Sequence, residues 1–194
     1  MKMILTIMCL LTATCARAVL TVSQTFSPGV TIPAGNPVGV VAAGNFTAAG
    51  AGDHVLGITV GLDISGGYNG SLCGYLVAPN GTLVRLMNKP GASVDWFGAE
   101  SSGMNITLSD TGGSSIQNVT GGYGTTLTGT YQADQTLGTF GNSSANGIWT
   151  IYFTSQVSGG GNAVLNSFTL NVEVVPEPAN VALVIFLAVL LGWA

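Results

Sequence analysis

One histidine stands in the whole sequence, His54, beside Asp53, so any acid–base or acyl-transfer chemistry has a single imidazole to draw on. A serine hydrolase needs a nucleophile, a base and a group that orients the base. No serine here sits in a subtilisin-like nucleophile motif. Neighbouring residues on a strand point to opposite faces, which makes Asp53 a poor orienter of His54. No catalytic triad can be assembled, and a solvent-facing histidine at a strand start is the expected role. Asp63, Asp95, Asp110 and Asp134 are weak candidates for metal ligation. They lack the close alternating spacing of a calcium loop, and solvated acids on loops are the competing account. Trp96, Phe97 and Tyr123 fall in loop-like stretches. There they either form a platform for sugar stacking or partner docking, or tuck under the loops that carry them.

The elements that must position these groups are short strands and turns. Of 194 residues, 29 are glycine and 6% are charged, against about a quarter charged in an ordinary soluble domain. Solubility then falls to Ser, Thr and Asn, which with Gly disfavour helices. Residues 55–64 alternate, with Leu56, Ile58, Val60, Leu62 and Ile64 apolar and small or polar residues between them. A period of two predicts a strand with one wet face. Two apolar runs, 72–77 and 83–87, are separated by Ala78-Pro79-Asn80-Gly81-Thr82, a hairpin connection in which Asn-Gly supplies positive φ. Asn69-Gly70 is expected to end the preceding strand in the same way. Weak strand candidates are 20–22 and 38–41, and a further strand is expected at 104–109. Residues 110–129 read as a long surface loop. Residues 148–153 are expected to pair with 164–174, where Val164, Phe168, Leu170, Val172 and Val174 would share one face. The whole predicts an all-β, antiparallel, jelly-roll-like sandwich of about eight strands.

Both ends read as addresses. Residues 1–18 carry a charge at Lys2, an apolar run, and small residues at Ala16 and Ala18. This is a secretory signal, a short helix with cleavage expected between Ala18 and Val19. Cys15 as a lipid acceptor is the rival reading. Cys9 and Cys15 leave with the signal, so Cys73 remains as a small buried hydrophobe without a disulfide partner. With Lys2 and Arg17 also gone, Arg85 and Lys89 face eight acids, a balance of −6 that excludes nucleic-acid binding. At the other end, Val175-Pro176-Glu177-Pro178 precedes an apolar run over 181–194. Its fourteen residues fall short of the roughly twenty that span a bilayer. A buried terminal helix is the plain reading. Between the two addresses, residues 19–174 are long enough for a single core.

The Pro176-Glu177-Pro178 segment with its apolar tail resembles the PEP-CTERM sorting signal of Gram-negative bacteria. The resemblance implies export, recognition by an exosortase, tail removal, and delivery to the surface or extracellular matrix. A cluster of Arg or Lys usually follows such a run, and this sequence shows Trp193-Ala194 there.

A second resemblance covers roughly residues 32–174. Tyr68-Asn69-Gly70-Ser71-Leu72, Leu76-Val77-Ala78-Pro79-Asn80-Gly81-Thr82, Lys89-Pro90-Gly91, Gly129-Thr130-Tyr131 with Phe140, Asn146-Gly147-Ile148-Trp149-Thr150-Ile151, and Leu165-Asn166-Ser167-Phe168-Thr169-Leu170 occur in order. Together they resemble the P (Homo B) domain, the β-sandwich found beside the catalytic domain of proprotein convertases and related subtilisin-type proteases. The resemblance implies a non-catalytic module that supports a neighbouring domain, with calcium as the ion it would carry. The family's Gly-Asp-Leu is Gly70-Ser71-Leu72 here, and Gly159-Gly160-Gly161-Asn162 stands where an Asp-Gly link is usual. Both places lack the carboxylate, and no cofactor is expected.

The sequence thus points to an exported non-catalytic sandwich serving as a binding or structural module in the envelope or matrix. It would be processed by signal peptidase and exosortase, touch the membrane transiently through 181–194, and bind an extracellular polysaccharide or an envelope protein. A carbohydrate-binding module and an accessory subunit of a subtilisin-like protease are the alternatives.

Overall fold

The computed structural model describes residues 19–48, 54–141 and 143–174. The expected signal through Ala18, the residue Asp53, the Pro176-Glu177-Pro178 motif and the apolar tail lie outside them. Eleven strands follow one another: β1 (Leu20–Phe26), β2 (Val30–Ile32), β3 (Asn36–Phe46), β4 (Val55–Gly66), β5 (Leu72–Val77), β6 (Leu83–Asn88), β7 (Met104–Leu108), β8 (Ser114–Ser115), β9 (Leu127–Gln132), β10 (Gly147–Ser155) and β11 (Ala163–Val174). They build a seven-stranded sheet in the order β1-β11-β4-β7-β9-β8, with β2 also on β11, and a four-stranded sheet β3-β10-β5-β6. The fold is an all-β sandwich, as the alternating pattern predicts. Among the described residues no helix is long and apolar enough to cross a membrane.

The core lies between the two sheets. From the larger sheet come Ile58, Val60, Leu62, Phe168, Leu170 and Val172; from the smaller, Trp149, Ile151, Phe153 and Leu76, all buried. Each such side chain contributes about 1.5–3 kcal/mol by leaving water. Glycines on the neighbours of β10 make room for core rings. Trp149 lies opposite Gly44 on β3, and Phe153 opposite Gly74 on β5. The space above Gly44 is filled by Phe26, whose ring stacks at 4.9 Å on Phe168. Phe140 meets Trp149 edge-on at 5.1 Å, and the indole N–H donates to the Ala145 carbonyl at 2.9 Å.

Several expectations need correction. Residues 148–153 do not pair with 164–174. β10 pairs with β3 and β5, while β11 pairs with β1, β2 and β4 in the opposite sheet. The glycine-rich link between them crosses the sandwich. A register shift between Leu165 and Ser167 turns Val164 off the core face, so Ala163 and Leu165 point inward instead. A second shift between Glu173 and Val174 accompanies the burial of Val55 and the exposure of Leu56. The stretch 110–129 is not wholly surface: Ile116, Val119 and Leu127 are buried. β9 pairs in parallel with β7 and β8, so the larger sheet is mixed. With β2, β8 and β9 added to the eight expected strands, the total is eleven.

Turn chemistry also divides differently. Gly81 alone of the Asn80-Gly81 pair has positive φ, 85°. Asn80 instead accepts the Thr82 N–H on its side-chain oxygen at 3.0 Å. The bend after β4 belongs to Gly66 and Gly67, with φ of 66° and 70°, and Asn69 is buried inside the protein.

A Cβ added at Gly74 would lie 2.5 Å from the Phe153 ring, whereas one at Gly113 meets nothing within 4 Å. Gly74→Ala is therefore expected to destabilise by about 1–3 kcal/mol, and Gly113→Ala to stay within about 0.5 kcal/mol of wild type. Urea unfolding of the two variants checks the pair.

Candidate functional site

Beyond β6 the chain must turn sharply. Among the described residues Lys89 is the one non-glycine with positive φ, 56°, a conformation that costs an L-residue about 1–2 kcal/mol. Its N–H bonds the Leu72 carbonyl at 2.8 Å, closing the hairpin end. Its ammonium reaches forward, donating to the Trp96 carbonyl at 2.8 Å and lying 5.1 Å from the Trp96 ring centre. The conformation fits a residue whose backbone closes one element while its side chain pins the next loop.

That loop, 89–103, buries little apolar surface and is held by hydrogen bonds. Asn69 is fully buried, and its side-chain amide donates to Ser101 Oγ and to the Gly103 carbonyl, both at 2.7 Å. The Asn69 and Gly70 N–H groups donate to the carbonyls of Ser101 and Ala99 at 3.0 Å. Tyr68 donates its hydroxyl to the Phe97 carbonyl at 3.0 Å. Burial, and then the charges of Glu100 and Asp95, push the Tyr68 phenol above its ordinary 10.0, so it keeps its proton and its donor role at neutral pH. Gly70 has to be glycine, since a Cβ would meet the Phe97 carbonyl oxygen at 2.5 Å. On the far side, Gly91 and Ser93 donate to the carbonyls of Ile116 and Gln117.

The loop carries its aromatic residues outward. Trp96 is 81% exposed and Phe97 70%, and Tyr123, on a neighbouring loop, 91%. The outward alternative is the one realised. Two grooves flank the ridge between them. One, of about 320 Å³, is bordered by Tyr68, Lys89, Phe97 and the turn at Val157–Gly160. The other, of about 220 Å³, runs between Val94 and Gly121. Asp95 and Glu100 border both. The loop bearing Tyr123 is joined to this floor where Ser102 N–H donates to the Thr125 carbonyl at 2.9 Å.

A larger depression of about 420 Å³ lies over the outer face of the seven-stranded sheet, near Thr59, Asp110 and Glu173. Its Asp110 is fully engaged, accepting from Thr136 Oγ1 at 2.8 Å and from the Leu137 and Gly138 N–H groups at 2.7 Å. No aromatic ring borders it, and the better site is the aromatic end.

The remaining candidates are dispersed. Asp63 accepts from the Asn166 side chain at 3.2 Å, Asp95 accepts the Phe97 N–H at 2.9 Å, and Asp134 pairs with Arg85. Where the resemblance places carboxylates, Ser71 Oγ donates to the Tyr68 carbonyl at 2.8 Å and lies 2.8 Å from Ser155 Oγ. Asn162 Oδ1 accepts the Ala34 N–H at 3.0 Å. Among the described residues no cluster of three His, Cys, Asp or Glu could hold a metal, and these groups do not fit calcium's shell of six to eight oxygens. His54 forms an isolated bridge with Ser144 at the surface. Cys73 is buried and sulfur-bonded, donating to Asn88 Oδ1 and accepting from Gln156 Nε2, both at 3.1 Å. Its burial pushes the thiol pKa up, away from a nucleophile's needs. Sequence reasoning missed Tyr68, Asn69, Lys89 and Glu100 as parts of the site, although the Tyr68-Asn69-Gly70 and Lys89-Pro90-Gly91 blocks carried the signal.

No protein-family model matches the chain, and no curated protein matches it in sequence. Solved structures do. A serine protease of Aeromonas sobria matches at 12% identity with a TM-score of 0.52, over 85% of this chain and 28% of that one. A structure of that protease in complex with the chaperone ORF2 matches at 12% and 0.53, over 88% and 29%. The chain thus spans under a third of the length of these two structures. At these identities the likeness is one of fold.

Replacing Lys89 by glycine removes the cost of the backbone conformation and the side-chain pin together. The Lys89→Gly melting stability is expected within about 1 kcal/mol of wild type, with a lower NMR order parameter at the Trp96 indole. A large loss of stability with an unchanged indole would show that Lys89 serves the hairpin alone.

Proposed function

We propose that the chain is an exported, non-catalytic β-sandwich module of the P-domain type that binds a component of the cell surface or extracellular matrix through its aromatic end. The observation that carries this reading is the exposure of Trp96 and Phe97 on a loop fixed by Asn69, Tyr68 and Lys89. Exposed rings on a mobile loop would cost entropy on binding, whereas rings on a pinned loop are already placed. No catalytic role is assigned, since the sequence has one histidine and no nucleophile motif. No cofactor is assigned either. The leading and trailing segments supply the address: signal peptidase acts after Ala18, and an exosortase acts at Pro176-Glu177-Pro178 in a Gram-negative envelope.

A second reading is favoured by one finding. The chain matches a portion of a serine protease that has also been solved with a chaperone, as a P-type module beside a catalytic domain would. In that case the partner is a subtilisin-like protease, and the module is its accessory subunit.

Intact mass and cell fractionation, with wild type and the Trp96→Ala/Phe97→Ala double variant, separate the two. The proposal expects a chain from Val19 to near Pro178 in the surface or matrix fraction, and release of the folded double variant into the medium. Co-purification with a protease, unaffected by the double variant, would support the accessory subunit instead.

A further inference from the structure

The chemistry of the grooves narrows the ligand, on the premise that the aromatic end is the binding site. Asp95 and Glu100 stand on the ridge shared by both grooves. Neither has a cation within bridging distance, since the ion pair among the described residues is Arg85 with Asp134. Lys89, in the lining of one groove, keeps its charge while its ammonium is held on the Trp96 carbonyl and ring, and the two carboxylates outnumber it. The site is therefore net anionic, with Phe97 in the lining of one groove and the exposed Trp96 next to it on the same loop. Two grooves on either side of one ridge suit a chain of repeated units rather than a single small molecule. A peptide added as an extra strand would look for free backbone groups to pair with. Here the loop's own N–H and C=O groups are consumed: Gly98 N–H on Asp95, Ala99 N–H on Pro90, and the Phe97 and Ala99 carbonyls by Tyr68 and Gly70.

We propose that Trp96, Phe97, Asp95 and Glu100 form a binding site for a polysaccharide carrying free amino groups, a partly deacetylated hexosamine polymer. The rings stack on the C–H faces of the sugars, and the two carboxylates accept from ammonium and hydroxyl groups. Uronic-acid polymers are rejected by like charge.

The test is calorimetric titration of the purified mature chain with chitosan oligomers, fully N-acetylated chitin oligomers, alginate oligomers and oligolysine. Chitosan is expected to bind, more weakly as salt rises, with chitin at least about tenfold weaker and alginate silent. D95N and E100Q, which leave the loop's hydrogen bonds in place, are each expected to cost several-fold for chitosan and little for chitin, with unchanged melting. Equal affinity for chitin and chitosan, no effect of D95N and E100Q, or oligolysine binding as tightly as chitosan would overturn the assignment. If chitosan fails to bind while the Trp96→Ala/Phe97→Ala variant still leaves the surface, the amino-polymer assignment falls and the surface-binding reading stands. If that variant also stays in place, both fall.

Discussion

Asn69 is buried where the chain crosses from β4 in the larger sheet to β5 in the smaller, and its side-chain amide holds the returning loop at Ser101 and Gly103. The outward placement of the aromatic rings depends on that contact. Loop 89–103 buries few apolar side chains of its own, so the hydrophobic effect that fixes the sandwich gives it little order. Hydrogen bonds must do so, and a buried one left unmade costs about 1–3 kcal/mol. The Asn69 amide, the adjoining backbone donors and the Tyr68 hydroxyl all converge on residues 97–103. From the other end of the loop Lys89 reaches Trp96.

The sandwich supplies the rigidity against which these bonds act. The Phe153 ring of β10 fills the space over Gly74 on β5, and the Phe26 ring of β1 the space over Gly44 on β3, which lets large rings pack between sheets without pushing the strands apart. β5 is one of those neighbours, and the turn that carries Asn69 runs directly into it. Core packing and loop geometry are therefore coupled through a few residues, while the site itself stays at the surface.

Much of the fold was legible in the sequence. The alternation in β4, the Pro79-Asn80-Gly81 hairpin and the apolar core of β10 are local patterns, and local patterns survive folding. Pairing was not legible, because an apolar strand in either sheet looks the same in sequence. The apolar patterns of β10 and β11 suggest a pair on that ground, and the two strands belong to opposite sheets. β9 was missed since Leu127 is its one fully buried residue, and its place is set by parallel backbone pairing with β7. The site was half legible. Trp96, Phe97 and Tyr123 stand out by type, but the loop that turns Trp96 and Phe97 outward is tied at Asn69, a residue whose Asn-Gly context suggests a turn. The glycines two and three positions earlier make that turn, which frees Asn69 to act as an internal tie.

Amide hydrogen exchange of the wild-type chain and of Asn69→Ala addresses this account most directly. The Gly98 and Ala99 amides, bonded at 2.7 Å to the Asp95 and Pro90 carbonyls, should be protected in the wild type. In Asn69→Ala they should exchange at least about tenfold faster, while β10 amides keep most of their protection. Unprotected loop amides in the wild type, or equal protection in the variant, would contradict the view that Asn69 holds the aromatic end in place.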